Sequence, residues 1–220
     1  MKVKIIKEVV NAQRRKEIYE LGSNKEFTEP EIYIMKPSGY TLSIHGKYPL
    51  DKYLNVDKIP ADFEIMRAES SANSGVVFAD PSMVIVRIFC PDRNSLLKSR
   101  GVFNKSFVEE FSKRGVFVKI SEHRPGANDM VFIKDGKEKK FCGLVHDLKN
   151  RFLSFFITFN FDSSKIEGLY KLDSDKFTGR GVVNHITDVV GGIREVNQDI
   201  DESIVDDIVK SISVGLGWEI

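Results

Sequence analysis

The sequence has few cysteines, almost no net charge and no long apolar run, and each shortage excludes a class of protein. Its 220 residues include two cysteines, Cys90 and Cys142, and carry a formal net charge of +1. Two thiols make no disulfide framework, which fits a reducing compartment. A balanced charge provides no electrostatic basis for binding nucleic acid, and no apolar run approaches the length of a membrane span. We therefore expect a cytoplasmic protein without a nucleic-acid or membrane partner.

Common phosphate and metal motifs are also missing. The sequence contains no G-x-x-x-x-G-K-[ST] segment, and Gly191-Gly192 lacks the strand-to-helix context of a G-x-G-x-x-G loop. Cys142 and His146 lie four residues apart on a predicted strand, but no second Cys/His pair completes a zinc site. We therefore predict no metal ligand set of protein residues, and we interpret Cys142 as a buried core residue rather than a nucleophile.

The patterns that are present predict one domain over residues 1–220, of the α+β class, without an accessory C-terminal domain. Alternating and helical apolar spacings favour a mixed, largely antiparallel sheet covered by helices. The basic run at residues 13–16 is typical of a solvated helix face. Strands are predicted at 2–10, 31–35, 40–44, 63–66, 76–78, 83–89 and 116–120. Helices are predicted at 11–21, 50–59, 163–172 and 201–216, and between Phe103 and Gly115.

The stretch from Asn128 to Asp162 organises the chain. It predicts a strand, a hairpin turn at Asp135-Gly136, a second strand that begins in a lysine cluster, and a third strand. Lys140 stands near the start of the second strand, where its stem can lie on the sheet while its ammonium points into a cleft.

Two segments have both a structural and a functional interpretation. The small polar residues at 69–75 form either a solvated connector or a flexible lid whose backbone N–H groups hold an oxygen atom. Lys140 is either a surface lysine or a charge that stabilises an acyl-phosphate transition state. Composition does not decide between the two interpretations of residues 69–75 or between those of Lys140.

The order of motifs resembles the biotin/lipoate protein ligase family, in its lipoate-ligase and octanoyltransferase branch. The segment N-D-M at 128–130, followed by G-K at 136–137 and K-K-F-C-G at 139–143, is similar to the family segment N-D-I…G-x-K-[IL]-[SA]-G. The matching lysine and glycine are Lys140 and Gly143. The likeness extends loosely over about residues 32–216.

The resemblance implies a catalytic domain of the class II aminoacyl-tRNA synthetase-like type. It would activate lipoate with ATP and Mg²⁺ and pass the acyl group to a lysine of a lipoyl-acceptor domain. Lys140 would be the catalytic residue, and Asn128 and Asp129 would hold the nucleotide. The residues implied in substrate binding are Arg67, Ser74, Gly75, Val76 and Gly143.

Departures from the family pattern keep other functions open. Arg67 matches one arginine of a family pair, and of the following glycine run only Gly75 is kept. Phe155-Phe156 stand where a His-Gly pair is common. The alternatives are a catalytically degenerate member that serves as a binding or accessory subunit, and an ATP-independent octanoyltransferase. We favour the ligase. Where its reaction needs an accessory domain, we expect a separate subunit to provide it.

Overall fold

A seven-stranded sheet forms the centre of the molecule. The computed structural model describes residues 1–45, 50–68, 76–121, 129–173 and 183–220. The strand order is β1-β2-β6-β10-β9-β8-β7. Only β1 and β2 pair in parallel, whereas the remaining neighbours are antiparallel. The strands are β1 (Lys4–Val10), β2 (Glu31–Pro37), β6 (Met83–Phe89), β7 (Lys119–Ile120), β8 (Asp129–Lys134), β9 (Lys137–Asp147) and β10 (Phe152–Thr158).

A second, three-stranded sheet stands beside the first. Its strands are β3 (Thr41–His45), β4 (Glu64–Ala68) and β5 (Val76–Ala79), in the order β4-β3-β5. Leu42 and Phe78 pair across β3 and β5 and belong to a separate apolar cluster with Tyr170. Together the two sheets confirm the predicted mixed and largely antiparallel α+β architecture.

Helices α2 (Arg93–Lys113) and α3 (Ser203–Gly215) cover one face of the large sheet. Phenylalanines spaced four apart on α2, Phe103, Phe107 and Phe111, are fully buried in this layer. Phe107 lies against Phe141 of β9, with ring centroids 5.8 Å apart. Burial of each aromatic side chain contributes on the order of 1.5–3 kcal/mol, so this layer is the main core.

Helix α1 (Ala12–Asn24) and the small sheet pack on the other face. Ile18 of α1, Ala79 of β5 and Ile85 of β6 share one buried cluster there. The Asn11 side chain caps α1 by accepting a hydrogen bond from the backbone N–H of Arg14. This second layer places α1 and the small sheet beside the face of β9 that carries the predicted site.

The structure differs from the predicted elements in four places. Residues 50–59 form two 3₁₀ turns, Leu50–Lys52 and Val56–Lys58, rather than one helix. Residues 163–172 contain only the turn Ser163–Lys165. Both segments carry apolar residues that pack on the small sheet, so the apolar spacing arose from tertiary contact and not from a helical face.

The third difference concerns α2, which begins ten residues before Phe103. Asp92 caps it, because its carboxylate accepts hydrogen bonds from the N–H and hydroxyl of Ser95. The predicted strand at 116–120 shortens to Lys119–Ile120. The sequence also predicts a loop running into a strand at 178–183, and residues 178–182 of it lie outside the described residues.

The basic run at 13–16 is not uniformly solvated, contrary to expectation. Arg15 is 1% exposed, and its Nη2 donates to Oγ of Ser43 in the small sheet at 2.5 Å. Burial lowers the pKa of this guanidinium. Among the described residues, no helix has both the length and the apolar character needed to cross a membrane.

Candidate active site

Lys140 forms the centre of the candidate site. Its ammonium nitrogen lies 2.7 Å from Oδ1 of Asp129 and 5.6 Å from the centroid of the Phe156 ring. Both members of the ion pair are partly exposed, Lys140 by 27% and Asp129 by 19% of their side chains. A cation held by a carboxylate and an aromatic face is ordered and still reachable from solvent.

The site ends a row of residues that crosses the large sheet. Met35, Ile85, Phe156, Gly143 and Asp129 stand opposite one another on five successive strands, β2, β6, β10, β9 and β8. Met35 and Ile85 belong to the buried cluster under α1 and the small sheet, and Phe156 packs against that cluster. Lys140 and Asp129 therefore sit where this apolar face opens.

A β-bulge points Lys140 toward this row. Met130 pairs with Cys142 and Val131 with Lys140, so Phe141 is the extra residue on β9. Residues three apart on a regular strand face opposite sides of the sheet, but here the Lys140 ammonium lies on the Gly143 side. Phe141 is fully buried on the helical side, which anchors the bulge.

Gly143 provides the space that the Lys140 side chain occupies. A Cβ at this position would lie 2.8 Å from the Phe156 ring and 3.1 Å from Nζ of Lys140. The first distance is shorter than real Cβ contacts allow, so any side chain would displace the ring or the ammonium. The glycine three residues after Lys140 is thus explained by close packing in the site.

The Lys140 backbone is held by a distant segment of the chain. Its N–H donates to the carbonyl of Val189 at 2.9 Å, and its carbonyl accepts from the N–H of Gly191 at 3.0 Å. Strand β9 extends beyond the end of β10 at this point, because the pairing of these strands stops at Cys142–Ile157. The 189–191 segment occupies the position that β10 leaves.

The other lysines of the hairpin are not part of the Lys140 centre. Lys137 pairs with Asp188 at 3.0 Å, and Lys139 pairs with Glu195 at 3.1 Å. Their partners lie in the 3₁₀ turns Ile186–Asp188 and Ile193–Glu195. Lys140 therefore belongs to the site, whereas Lys137 and Lys139 hold the 183–196 segment through ion pairs.

Cys142 is unsuited to act as a nucleophile in this conformation. It is fully buried, and desolvation raises the pKa of its thiol well above the ordinary value. Burial also raises the pKa of Cys90, to about 12. Both thiols are free and neutral at pH 7, whereas thiol nucleophiles react as thiolates. His146 is occupied as well, since Nε2 lies 2.8 Å from the Leu96 carbonyl oxygen.

The structure places two of the predicted substrate-binding residues on the small sheet. Arg67 on β4 and Val76 on β5 pair with Ile44 of β3 from opposite sides. Arg67 is exposed, but the Val76 side chain is fully buried in the core of that sheet. Ser74, Gly75 and Asn128 lie outside the described residues.

The residues that sequence reasoning missed as parts of the site are Phe156 and the 189–191 segment. Phe156 had a signal, because it stands where the resembling family commonly has a glycine. The sequence analysis shows only that Gly191 and Gly192 do not form a phosphate loop. Their role depends on a strand pairing across some fifty residues, which no local pattern reveals.

No metal centre made of protein side chains is found in the described part of the chain. Among those residues, no group of three or more His, Cys, Asp or Glu side chains could hold an ion. A groove of about 280 Å³ lies elsewhere, beside Arg114 and the start of α3, and is lined by none of the predicted site residues. Its lining includes Asn197, Asp199 and Asp201.

Comparison with solved structures shows that this fold is that of lipoate– and biotin–protein ligase catalytic domains. A bi-partite lipoate protein ligase from Thermoplasma acidophilum, described with its E2 lipoyl domain, superposes with TM-score 0.70 at 15% identity over 100% of this chain and 86% of that one. Lipoate-protein ligase A bound with ATP gives 0.71 at 13% identity, over 100% and 87%. Biotin protein ligase from Aquifex aeolicus, in complex with biotin and ATP, gives 0.52 at 13% identity, over 98% and 70%.

No protein-family model and no curated protein matches the sequence. The likeness is therefore one of fold, which confirms the expected architecture, and function has to be argued from the site.

Proposed function

We propose that this protein is a lipoate–protein ligase-like enzyme, which activates lipoate or a related acyl group with ATP and transfers it to a lysine of an acceptor protein. The observation that carries the proposal is the Lys140 centre, with Asp129 at 2.7 Å, Gly143 beneath the ammonium and a bulge that turns the lysine toward the open end of an apolar face. The fold shared with lipoate–protein ligases supports it.

Lys140 is the group that neutralises negative charge in this proposal. Activation of a carboxylate by ATP brings the acyl oxygens and the phosphate close together, and a fixed ammonium lowers the energy of the charge that develops there. The site geometry fits this role because the N–H and the carbonyl of Lys140 are both bonded to the 189–191 segment. A positioned cation stabilises a transition state without further reorganisation.

ATP and Mg²⁺ are the expected nucleotide and metal. A magnesium ion that arrives with ATP needs only one or two protein carboxylates, since phosphates and water complete its coordination. Asp129 provides one partly exposed carboxylate beside Lys140, which fits such an ion. Asn128, next to it in the sequence, is proposed to contact the nucleotide. Lipoate-protein ligase A is a structural neighbour that binds ATP.

The acyl chain is proposed to lie against the small sheet. Arg67, Ser74, Gly75 and Val76 belong to β4, β5 and the connection between them, and the proposal assigns this segment to covering the acyl chain and excluding water from the mixed anhydride. The buried Val76 would then support the segment through its packing, and Gly143 would let the Lys140 ammonium lie where the carboxyl end is proposed to bind.

The proposed acceptor is a lipoyl domain, with a separate accessory subunit as a further partner. One structural neighbour is a bi-partite ligase described with its E2 lipoyl domain. We propose that residues 1–220 form a single catalytic domain that acts with such partners. The compartment proposed is the cytoplasm, where the free thiols of Cys90 and Cys142 stay reduced.

A non-catalytic binding subunit is the second candidate, and a specific contact favours it. The Lys140 ammonium is already engaged by Asp129, and the Phe156 ring fills the space over Gly143. An acyl carboxylate would have to share or replace the Asp129 contact. The octanoyltransferase alternative has less support, because a thioester exchange through Cys142 requires a thiolate that burial opposes.

Formation of the acyl adenylate tests the proposal. The protein is incubated with lipoate, ATP and Mg²⁺, and the acyl-AMP is measured by mass spectrometry, with octanoate and biotin in parallel incubations. The ligase predicts an adduct that depends on ATP and disappears in Lys140→Ala. Absence of any adduct, with lipoate still bound, would favour the binding subunit.

A further inference from the structure

A chain segment far from the hairpin completes the pairing of Lys140. The Lys140 N–H donates to the carbonyl of Val189, and the Lys140 carbonyl accepts from the N–H of Gly191. These two bonds make a short parallel bridge between β9 and residues 189–191. These are the backbone groups that β10 would satisfy if it were longer. The orientation of Lys140 therefore depends on whatever holds the 189–191 segment in place.

The 189–191 segment and the adjacent Gly192 pack closely against neighbouring side chains and backbone. A Cβ on Gly191 would lie 2.9 Å from the Phe132 ring, and one on Gly192 would lie 2.5 Å from the carbonyl oxygen of Phe159. Such contacts exclude side chains at both positions. Two consecutive glycines thus let the backbone come close enough to reach Lys140.

Glu195 links this segment to both strands of the hairpin. Its Oε1 accepts from the N–H of Gly192 at 3.0 Å, and its Oε2 accepts from Nζ of Lys134 and Nζ of Lys139, each at 3.1 Å. Lys134 lies on β8 and Lys139 on β9, so one carboxylate bridges the two strands and the loop. Burial opposes the charged form, but the bonds from Lys139, Gly192 and Lys134 outweigh it and lower the pKa of Glu195.

The bridge lies on the opposite side of the sheet from the Lys140 ammonium. Lys139 pairs with Phe132, whose ring belongs to the core under α2 and α3. The ammonium of Lys140 instead approaches Gly143 and Asp129. Glu195 therefore reaches Lys140 only through the backbone.

We propose that Glu195 is a positioning residue for Lys140, which it orients by clamping the 189–191 segment against the hairpin through Lys134 and Lys139. The inference rests on the proposed function in one respect, namely that Lys140 is the catalytic cation. The proposal also explains why the hairpin is rich in lysine. Lys140 is the catalytic cation, and Lys134 and Lys139 form ion pairs with Glu195.

Two charge-removing variants separate positioning from a general structural role. Glu195→Gln keeps an oxygen for the Gly192 N–H but loses the attraction of both ammonium groups. Lys139→Gln removes one of those groups. Glu138→Gln is the matched control, because Glu138 is next to Lys139 on β9 and forms its ion pair, at 2.7 Å, with Lys119 of β7 instead of with the 189–196 segment.

The first measurement is amide hydrogen exchange by NMR, which needs no activity. We expect exchange at the Lys140 and Gly191 amides to rise at least about tenfold in Glu195→Gln, while the amides of β6 and β10 stay within twofold. Glu138→Gln should leave both site amides unchanged. Unchanged exchange at Lys140 and Gly191, or an equal rise throughout the protein, would overturn the proposal.

The second measurement is the rate of acyl-adenylate formation. Glu195→Gln and Lys139→Gln should each lower kcat several-fold with little change in KM for the acyl substrate, and the double variant should be no worse than either alone. Wild-type kcat in Glu195→Gln would refute positioning. If wild-type protein forms no adenylate, the proposed function fails, while hydrogen exchange still decides whether Glu195 orients Lys140.

Discussion

Nζ of Lys140 and Oδ1 of Asp129 lie 2.7 Å apart across the β8–β9 pair, at the end of a row of apolar side chains. Both groups are partly exposed, and ion pairs of this kind contribute about 0–1 kcal/mol to folding. The fold therefore does not depend on this pair. Its geometry instead depends on the Phe141 bulge and on the absence of a side chain at Gly143.

The first prediction concerns Lys140→Ala. It should abolish acyl-adenylate formation and leave stability nearly intact, because at most about 1 kcal/mol is lost with the ion pair. For a chain of this length the melting temperature should fall by no more than roughly 2–4 °C. Calorimetric melting and the adenylation assay measure the two effects separately.

Lys137→Ala is the matched control for that variant. Lys137 lies on the same strand and is also ion-paired, with Asp188 at 3.0 Å, but its ammonium is outside the Lys140 centre. Because it removes one ion pair of the 183–196 segment but keeps the Lys140 ammonium, it should lower activity only in part, in contrast to the complete loss in Lys140→Ala. A melting temperature that drops far more in Lys140→Ala than in Lys137→Ala would mark Lys140 as structural and remove it from the site.

The second prediction concerns Gly143→Ala. The added Cβ meets the Phe156 ring at 2.8 Å and Nζ of Lys140 at 3.1 Å, so one of them has to move. Overpacking of this size costs about 1–3 kcal/mol, measured as the free energy of unfolding in urea. Activity should fall with it, since movement of either group changes the surroundings of the Lys140 ammonium.

A double variant checks the cause of this effect. Phe156→Leu shortens the side chain that the new Cβ meets first, so Gly143→Ala with Phe156→Leu should recover part of the lost stability. If the double variant loses the full sum of the two single effects, the Phe156 contact is not the source of the strain.

The third prediction is that both thiols are inert in the folded protein. Burial raises the pKa of Cys90 to about 12 and that of Cys142 well above its ordinary value. Ellman's reagent should therefore react with neither thiol at pH 8 until urea unfolds the chain. Cys142→Ser should keep adenylation activity, whereas loss of activity without loss of stability would revive the thiol-based acyltransferase.

The fourth prediction concerns acid stability. Hydrogen bonds from the backbone N–H of His185 and from Lys137 lower the pKa of Asp188 to about 2, below the usual 3.8. A carboxyl with a depressed pKa in the folded state stabilises the protein above pH 4 and loses this contribution as the pH falls from about 4 to about 2. Asp188→Asn should thus destabilise at pH 7, by on the order of 1 kcal/mol, and much less at pH 2.

Urea unfolding at pH 7, 4, 3 and 2 measures this difference between wild type and Asp188→Asn. Asp57→Asn is a suitable control, because Asp57 is an exposed carboxylate in the surface turn Val56–Lys58. The free energy of unfolding is compared between wild type and Asp188→Asn at each pH. A difference that stays constant down to pH 2 would contradict the assignment of Asp188 as a charged group that stabilises the 183–196 segment.

Much of the large sheet could be predicted because its strands carry local signals. The Asp135-Gly136 turn is one example: both residues have positive φ, +52° and +73°, as a tight two-residue hairpin requires. Strand β6 is buried along its whole length, and its apolar run was predicted within the same limits, 83–89. Local chemistry alone determined these elements.

Other features could not be predicted because tertiary contacts decide them. Residues 50–59 and 163–172 have helix-like apolar spacing, yet they meet the small sheet from irregular backbone. Arg15 looked solvated within a basic run, but α1 packs between the two sheets and buries it. In both cases the deciding neighbour is far away in the sequence.

The candidate site was predicted in part. Lys140, Asp129 and Gly143 lie together in the structure, although they were named from a motif that shows no geometry. The Phe141 bulge turns Lys140 to the Gly143 face, and the 189–191 segment holds its backbone. Neither follows from strand alternation, which would have placed Lys140 and Gly143 on opposite faces.

Calorimetric titration of lipoate, first alone and then with ATP and Mg²⁺, tests the central claim most directly, with octanoate and biotin as comparators and Lys140→Ala as the control. The account predicts that lipoate binds, that ATP with Mg²⁺ tightens this binding, and that Lys140→Ala removes the gain. No binding of lipoate, octanoate or biotin under any of these conditions, by a protein that melts cooperatively, would contradict it.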